Sequence, residues 1–291
     1  MSQILLWSGT LGRVNFDDRL QAVGAAGYGS MSVFPWDCRP PGSGTSRGPR
    51  MRRLAAAIDV RLAALDPLTT WLPRWEPRMD VTADAPQIAE RIRYAQFFGA
   101  YSVHDCLGFA QDVGADLISL IEPYGRHVPT ELGAEAYARV CDQAAGQGLR
   151  VQLEFMPFSG IPDLRSAWEI VRLAGRSNGG LVLDTWHFYR SAPDYQLLAE
   201  IPPEKVFSVQ LSDGPARPEP DLWHAATHDR LLPGAGDFDL ATVLRTLWAN
   251  GGSPTVGPES VSDHLAAMDA TDAARRAARA THSALAAANT R

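Results

Sequence analysis

The 291-residue chain lacks several features that would settle its class early. It has no cationic surplus. Lys and Arg number 27 against 33 Asp and Glu, a formal net charge of −6, so the basic footprint of a nucleic-acid binder is missing. No run of about 18 apolar residues occurs, and no membrane span is expected. The opening MSQILLWSGTLG shows no basic stretch followed by an apolar one, so no secretory leader is expected. Cysteine is scarce. Cys38, Cys106 and Cys141 are scattered without CxxC spacing, which argues against a disulfide framework and a cysteine zinc site and suits a reducing cytoplasm. There is no internal repeat, no low-complexity tract, and no GxGxxG after the first strand-like run.

What the chain does have is alternation. Strand-like runs fall at 4–7, 30–34, 61–65, 115–121, 151–156, 180–185, 206–211 and 255–260. Between them lie segments of helical spacing, such as FDDRLQAVGAAG, ELGAEAYARVCDQAAGQG and LATVLRTLWANG, each closing on a helix-ending Gly. Strands joined by helices must run parallel, because a parallel pair needs a crossover. Eight such units suit closure, so the expected fold class is α/β, a single-domain (β/α)8 TIM barrel over residues 1–291. An open doubly wound sheet is the alternative. The pattern breaks twice, at an insertion of about 67–100 and at a long βα loop, 212–236, rich in Pro and Gly. In the insertion, Trp71, Trp75 and Phe97 read equally as lid residues or as local packing.

The chemistry gathers at the ends of the last four strands. VQLEF ends near Glu154, LVLDTWH holds Asp184 and His187, VFSVQLSD holds Gln210, and TVGPES ends in Glu259. Singly, each carboxylate reads as well as a helix cap, and Gln210 as a core amide. Together, at one end of a parallel barrel, they form an oxygen cage of charge near −3 that calls for a divalent cation. Expected metal ligands are therefore Glu154, Asp184, Gln210 and Glu259, with Mn2+ favoured and Mg2+ or Co2+ as alternatives. Glu154 and Glu259 are the expected catalytic acid and base. His187 is a further catalytic or substrate-holding candidate, and Arg230 and Trp186 are candidate substrate contacts. Glu122 reads as a supporting residue or as half of an ion pair, and Asp237 as a helix cap. Trp7, Phe34, Trp36, Phe158 and Trp186 near strand ends suit a glycoside or ring-bearing substrate, or core packing.

Two glutamates flanking a hard ion suit proton abstraction beside a carbonyl through a metal-bound enediolate. Proton return gives isomerisation or epimerisation, and loss of a β-hydroxyl gives dehydration. EFMPF, LDTWH, QLSD, RLLPGAGDF and Glu259 resemble the xylose-isomerase-like TIM-barrel superfamily, the sugar phosphate isomerase/epimerase group that includes inosose and dehydroshikimate dehydratases. The resemblance is strongest from about residue 150 onward. It implies the same ligands, the same pair of catalytic glutamates, and substrate contacts at His187 and Arg230. Many isomerases of that group carry His where this chain has Gln210, so the resemblance there leans towards the dehydratases. Three functions follow as expectations: an isomerase or epimerase of a sugar or polyol-derived ketone, a lyase on the same enolate, and a ligand-binding barrel without turnover. The expected partner is a small carbohydrate-like molecule, with no nucleic acid and no membrane, and self-association into a homo-oligomer is left open.

Overall fold

The computed structural model describes residues 4–73, 94 and 97–290. Its eight strands are β1 (Leu5–Leu6), β2 (Ser30–Val33), β3 (Arg61–Leu68), β4 (Leu117–Leu120), β5 (Arg150–Leu153), β6 (Gly179–Asp184), β7 (Val206–Leu211) and β8 (Thr255–Pro258). They form one sheet in chain order, and every adjacent pair is parallel. The Trp7 amide donates to the Pro258 carbonyl at 3.2 Å, and the Thr10 hydroxyl donates to the same oxygen at 3.0 Å, so the sheet curls into a nearly closed barrel. That approach needs Gly257, because a Cβ there would lie 1.6 Å from the Leu5 carbonyl oxygen.

Helices fill the spaces between strands where the 3.6-residue spacing places them, among them Phe16–Ala25, Thr130–Ala145, Leu164–Ala174, Leu240–Ala249 and Ala270–Asn289. Gly148, just past the second of these, sits at φ +70°, the left-handed turn that ends a helix without a Cβ penalty. Strand side chains alternate between two apolar cores. The larger packs strands on helices. The smaller, Leu5, Trp7, Ala63, Ala64, Leu117 and Phe207, comes from strand residues and from Trp7 just past β1, and fills the barrel. Inside it runs a buried polar chain. Ser208 Oγ donates to Gln152 Oε1 at 2.6 Å, Gln152 Nε2 donates to Ser119 Oγ at 2.8 Å, and the Ser119 hydroxyl bonds the Asp66 carboxyl.

At the two interruptions the structure adds local detail. Trp71 is not a lid residue, since it is buried and its indole N–H donates to the Ile121 carbonyl at 2.9 Å. Trp75 and most of the 67–100 insertion lie outside the described residues. Phe97 is 39% exposed and packs on Trp36. The 212–236 loop contains a helix, Leu222–His228, and an antiparallel bridge between Asp213 and Leu231. Asp213 gathers that loop by accepting the amides of Gly214, Gly234 and Phe238. Asp237 does not cap the following helix. It accepts the Ala216 amide, and Asp239 is the cap.

Candidate active site

Asp184, the last residue of β6, organises the site. Its Oδ1 accepts the His187 amide at 2.9 Å and so caps the short helix Thr185–Arg190, and its Oδ2 accepts Arg230 Nη1 at 2.6 Å. The D-x-x-H spacing thus has a physical reason. The cap starts a helix whose first turn brings the His187 ring back over the strand end. Arg230 arrives from the long loop, donating Nε to the Ala226 carbonyl (2.8 Å) and Nη1 to the Glu259 carbonyl (3.3 Å). Its Nη2 lies 3.1 Å from His187 Nε2, and that ring nitrogen lies 3.3 Å from Glu154 Oε1. Ligand atoms of Glu154, Asp184 and His187 fall within 4.8 Å of one another, all buried.

The electrostatics follow from burial. A guanidinium is always a donor, so His187 Nε2 accepts from Arg230 and the imidazole is neutral with its proton on Nδ1. Burial takes the His187 pKa down to about 3, against Asp184 and with the help of Arg230. Glu154 is pushed well above the carboxylate range by burial and then by Glu259, Asp184 and Asp66. Glu259 is pushed up likewise by burial and by Asp66. Asp66 rises to about 7 through burial and the Asp184 charge, while the Ser119 hydroxyl acts the other way. Asp184 behaves differently. Burial pushes it up, but Arg230 and the His187 amide outweigh that and hold it below the usual value.

Four buried carboxyls thus face one guanidinium. Their surplus charge is relieved by protons or by a cation. Gln210 lies in register beside Asp184 on the neighbouring strand, fully buried, with neither amide atom bonded to the protein. An orphaned amide oxygen beside surplus carboxylates fits a hard divalent ion. Glu154 and Asp184 of the expected ligands therefore sit in one tight group whose third member is His187, with Gln210 alongside. Glu259 lies outside that group, with Oε1 facing Gly9, but lines the same cavity.

The cavity encloses about 670 Å³ at the C-terminal end of the strands. Its floor is Asp66, Glu154, His187, Arg230 and Glu259, and its mouth is lined by aromatic rings. Trp186 is not among the lining residues. It is fully buried behind the site, its ring 5.3 Å from the Arg230 guanidinium and 5.6 Å from that of Arg190, so it positions Arg230 rather than touching a ligand. Trp7 is likewise enclosed in the barrel, whereas Phe34, Trp36 and Phe158 do line the cavity. Among the described residues Glu122 has no ion-pair partner, and it does not line the cavity. Its carboxylate accepts four backbone amides, from Tyr124, Gly125, Arg126 and Gly160, and ties two loops together. Asp66 escapes a reading of the sequence, because LDPL looks like a turn while in the structure it lies within β3.

The sequence model of one protein family, described as xylose isomerase-like TIM barrel, matches residues 20–284. A 3-dehydroshikimate dehydratase of Pseudomonas aeruginosa is 29% identical over 245 residues, spanning 84% of this chain and 35% of that protein. The chain thus covers about a third of that relative's length. An inosose isomerase of Bacillus subtilis is 28% identical over 149 residues, 50% of this chain and 52% of that protein. Among solved structures, the IOLI protein with a bound zinc atom aligns with a TM-score of 0.80 at 20% identity, covering 99% of this chain and 100% of that one. An L-ribulose 3-epimerase aligns with a TM-score of 0.70 at 17% identity, covering 99% and 96%.

Proposed function

We propose that this chain, which belongs to the xylose isomerase-like TIM-barrel family, is a divalent-metal-dependent isomerase or epimerase of a keto-sugar or polyol-derived ketone. One observation carries the reading. Glu154 and Glu259 line one cavity from different strand ends, both buried and both with proton affinity raised well above that of an ordinary glutamate. A carboxyl so tuned can take a proton from carbon and can also hold one for delivery. One glutamate, ionised, removes the proton next to the substrate carbonyl. The other, neutral, returns a proton to the neighbouring carbon or to the opposite face. Arg230 keeps Asp184 ionised, and burial with Arg230 beside the ring keeps His187 neutral, so the imidazole holds a substrate hydroxyl without competing for the proton.

The residues that would hold the ion are Glu154, Asp184, Gln210 and Glu259, with His187 adjoining. An amide oxygen among carboxylates favours Mn2+, with Mg2+ or Co2+ next. When bound, such an ion polarises a carbonyl and an adjacent hydroxyl and makes the α-proton more acidic. Schiff-base chemistry has no counterpart here. The only lysine of the chain, Lys205, precedes β7 at the far end of the barrel and is tied to the carbonyls of Arg176 and Gly179 at 2.7 and 2.9 Å.

A lyase using the same proton abstraction is the second reading. Gln210 favours it, as does the longer match to the dehydratase, 84% of the chain against 50% for the inosose isomerase. The test is turnover of a panel of keto-sugars and inososes in D2O followed by NMR. Deuterium should enter at the α-carbon, with product mass separating an isomer from a product lighter by one water. Turnover without label and without a primary isotope effect on α-deuterated substrate would refute the reading.

A further inference from the structure

The mouth of the cavity is an unbroken arc of rings. Phe34 stacks on Trp36 at 4.2 Å, Trp36 meets Phe98 at 4.9 Å, Phe98 meets Tyr94 at 4.1 Å, and Tyr94 meets Trp223 at 5.2 Å. Trp223 meets Phe158 at 5.2 Å, and Phe158 stands 5.8 Å from His187 on the floor. The arc is built rather than collapsed. Its Phe34 end is fixed by a buried ion pair between Arg19 and Asp37, with the guanidinium 4.9 Å over the Phe34 ring and the Asp37 carboxylate accepting the Phe34 amide at 3.0 Å. Charge is distributed just as unevenly. Among the described lining residues the sole cation is Arg230, already bonded to Asp184 and His187, while Asp66, Glu154 and Glu259 line the same space. Among the described lining residues, a phosphate or carboxylate on the ligand would meet carboxyls and rings, with no free guanidinium or ammonium donor to receive it. At about 670 Å³ the cavity is in the size range that encloses a drug-sized ligand, more than one sugar ring requires.

We propose that the substrate is an uncharged carbohydrate ketone bearing a flat aromatic substituent, its keto ring on the acidic floor and its aromatic group against the arc from Trp36 to Phe158. This rests on the proton-transfer reading above and narrows its substrate. Sugar C–H faces and aromatic groups both gain from ring contacts, and the arc offers them in sequence from mouth to floor.

Binding of unreactive probes tests the inference apart from turnover. Calorimetry on the Mn2+-loaded protein would compare phenyl β-D-glucopyranoside, methyl β-D-glucopyranoside and glucose 6-phosphate. The phenyl glucoside should bind at least about tenfold more tightly than the methyl glucoside, the scale of one good ring–ring contact, and glucose 6-phosphate most weakly. Trp36→Leu and Phe158→Leu should each weaken phenyl glucoside binding more than methyl glucoside binding and so remove most of the phenyl advantage, with wild-type melting curves confirming the fold. Equal affinities, a preference for the phosphate, or no binding of any probe would overturn the proposal. The two readings fail separately. A phenyl preference without α-proton exchange on any ketone sinks the reaction and leaves the pocket assignment standing. Exchange on bare ketones without a phenyl preference does the reverse.

Discussion

Strands β5 to β8 end at Glu154, Asp184, Gln210 and Glu259, while β1, β2 and β4 run out at Trp7, Phe34 and Ile121, and only β3 brings a carboxyl, Asp66. Both halves border one cavity. The second half concentrates carboxyls and a buried amide, the groups to which the proposal assigns proton transfer and cation binding. The first half supplies apolar walls, and burial, followed by the neighbouring carboxylates, raises the proton affinity of the glutamates. The site is thus a charged half working against an apolar half, and each half can be perturbed alone.

The largest expected break is at the glutamates. Glu154→Gln and Glu259→Gln keep shape but remove the acid and base, and each should lower α-proton exchange by about 10² to 10⁴, with any loss of metal adding to it. Ile121→Val in the first half should stay within about tenfold. Stopped NMR assays at saturating substrate decide this, and a Glu154→Gln enzyme as active as wild type would end the proposed role.

Each half also buries a guanidinium, and these sharpen the contrast. Arg19 pairs with Asp37 and Arg230 with Asp184. Removing either partner leaves a buried carboxylate uncompensated, at a cost of about 3–5 kcal/mol. Urea unfolding of chelator-treated protein should show losses of that size for both Arg19→Met and Arg230→Met. Exchange should fall at least about tenfold further for Arg230→Met, since of the two only Arg230 contacts Asp184 and His187. Equal activity in the two variants would remove Arg230 from the site's machinery.

The pH dependence of stability tests the single acid of the first half. Asp66, Glu154 and Glu259 bind protons more tightly folded than unfolded, so the stability they contribute is full below the ordinary carboxylate range and is lost as pH rises through their folded values, about 7 for Asp66. His187 works the other way, since its folded value of about 3 adds stability as pH rises towards 6.5. Three groups oppose one. Chelator-treated protein should therefore melt higher at pH 5.5 than at pH 8, by about 3 °C or more, and Asp66→Asn should flatten part of that slope. A melting temperature that rises over this range would mean that the carboxyls are not jointly buried as the structure has them.

Much of this could be read in the chain before its fold was known, and the residues that could not share one cause. The eight strands were legible because each is a short apolar or β-branched run ended by a polar residue and followed by helical spacing. Glu154, Asp184, Gln210 and Glu259 stand at those ends in plain view. Asp66 was hidden because an Asp before Pro reads as a turn, although strand β3 continues to Leu68. Trp186 was misplaced because consecutive residues in the helix begun by Asp184 point about 100° apart, so facing His187 inward turns Trp186 to the back. Glu122, Asp213 and Asp237 bind backbone amides of loops distant in sequence. Local pattern carries no information about such partners.

The smallest expected effect separates a ligand from a core amide. Gln210 is fully buried, and neither its Oε1 nor its Nε2 bonds to the protein. A buried amide without partners destabilises, so replacing it with an apolar side chain of similar length should cost the metal-free protein nothing, or stabilise it by about 1 kcal/mol. Gln210→Met should therefore melt at or slightly above wild type after chelation. Adding Mn2+ should raise the wild-type melting temperature more than that of Gln210→Met, because linkage stabilisation scales with affinity and one oxygen ligand has gone. Gln210→His should recover the response with Zn2+ better than with Mn2+, since imidazole suits the softer ion. A core-amide role predicts that the metal response is the same in all three proteins. The charged half would then lose its β7 member, leaving Glu154 and Asp184 with His187 to hold any ion.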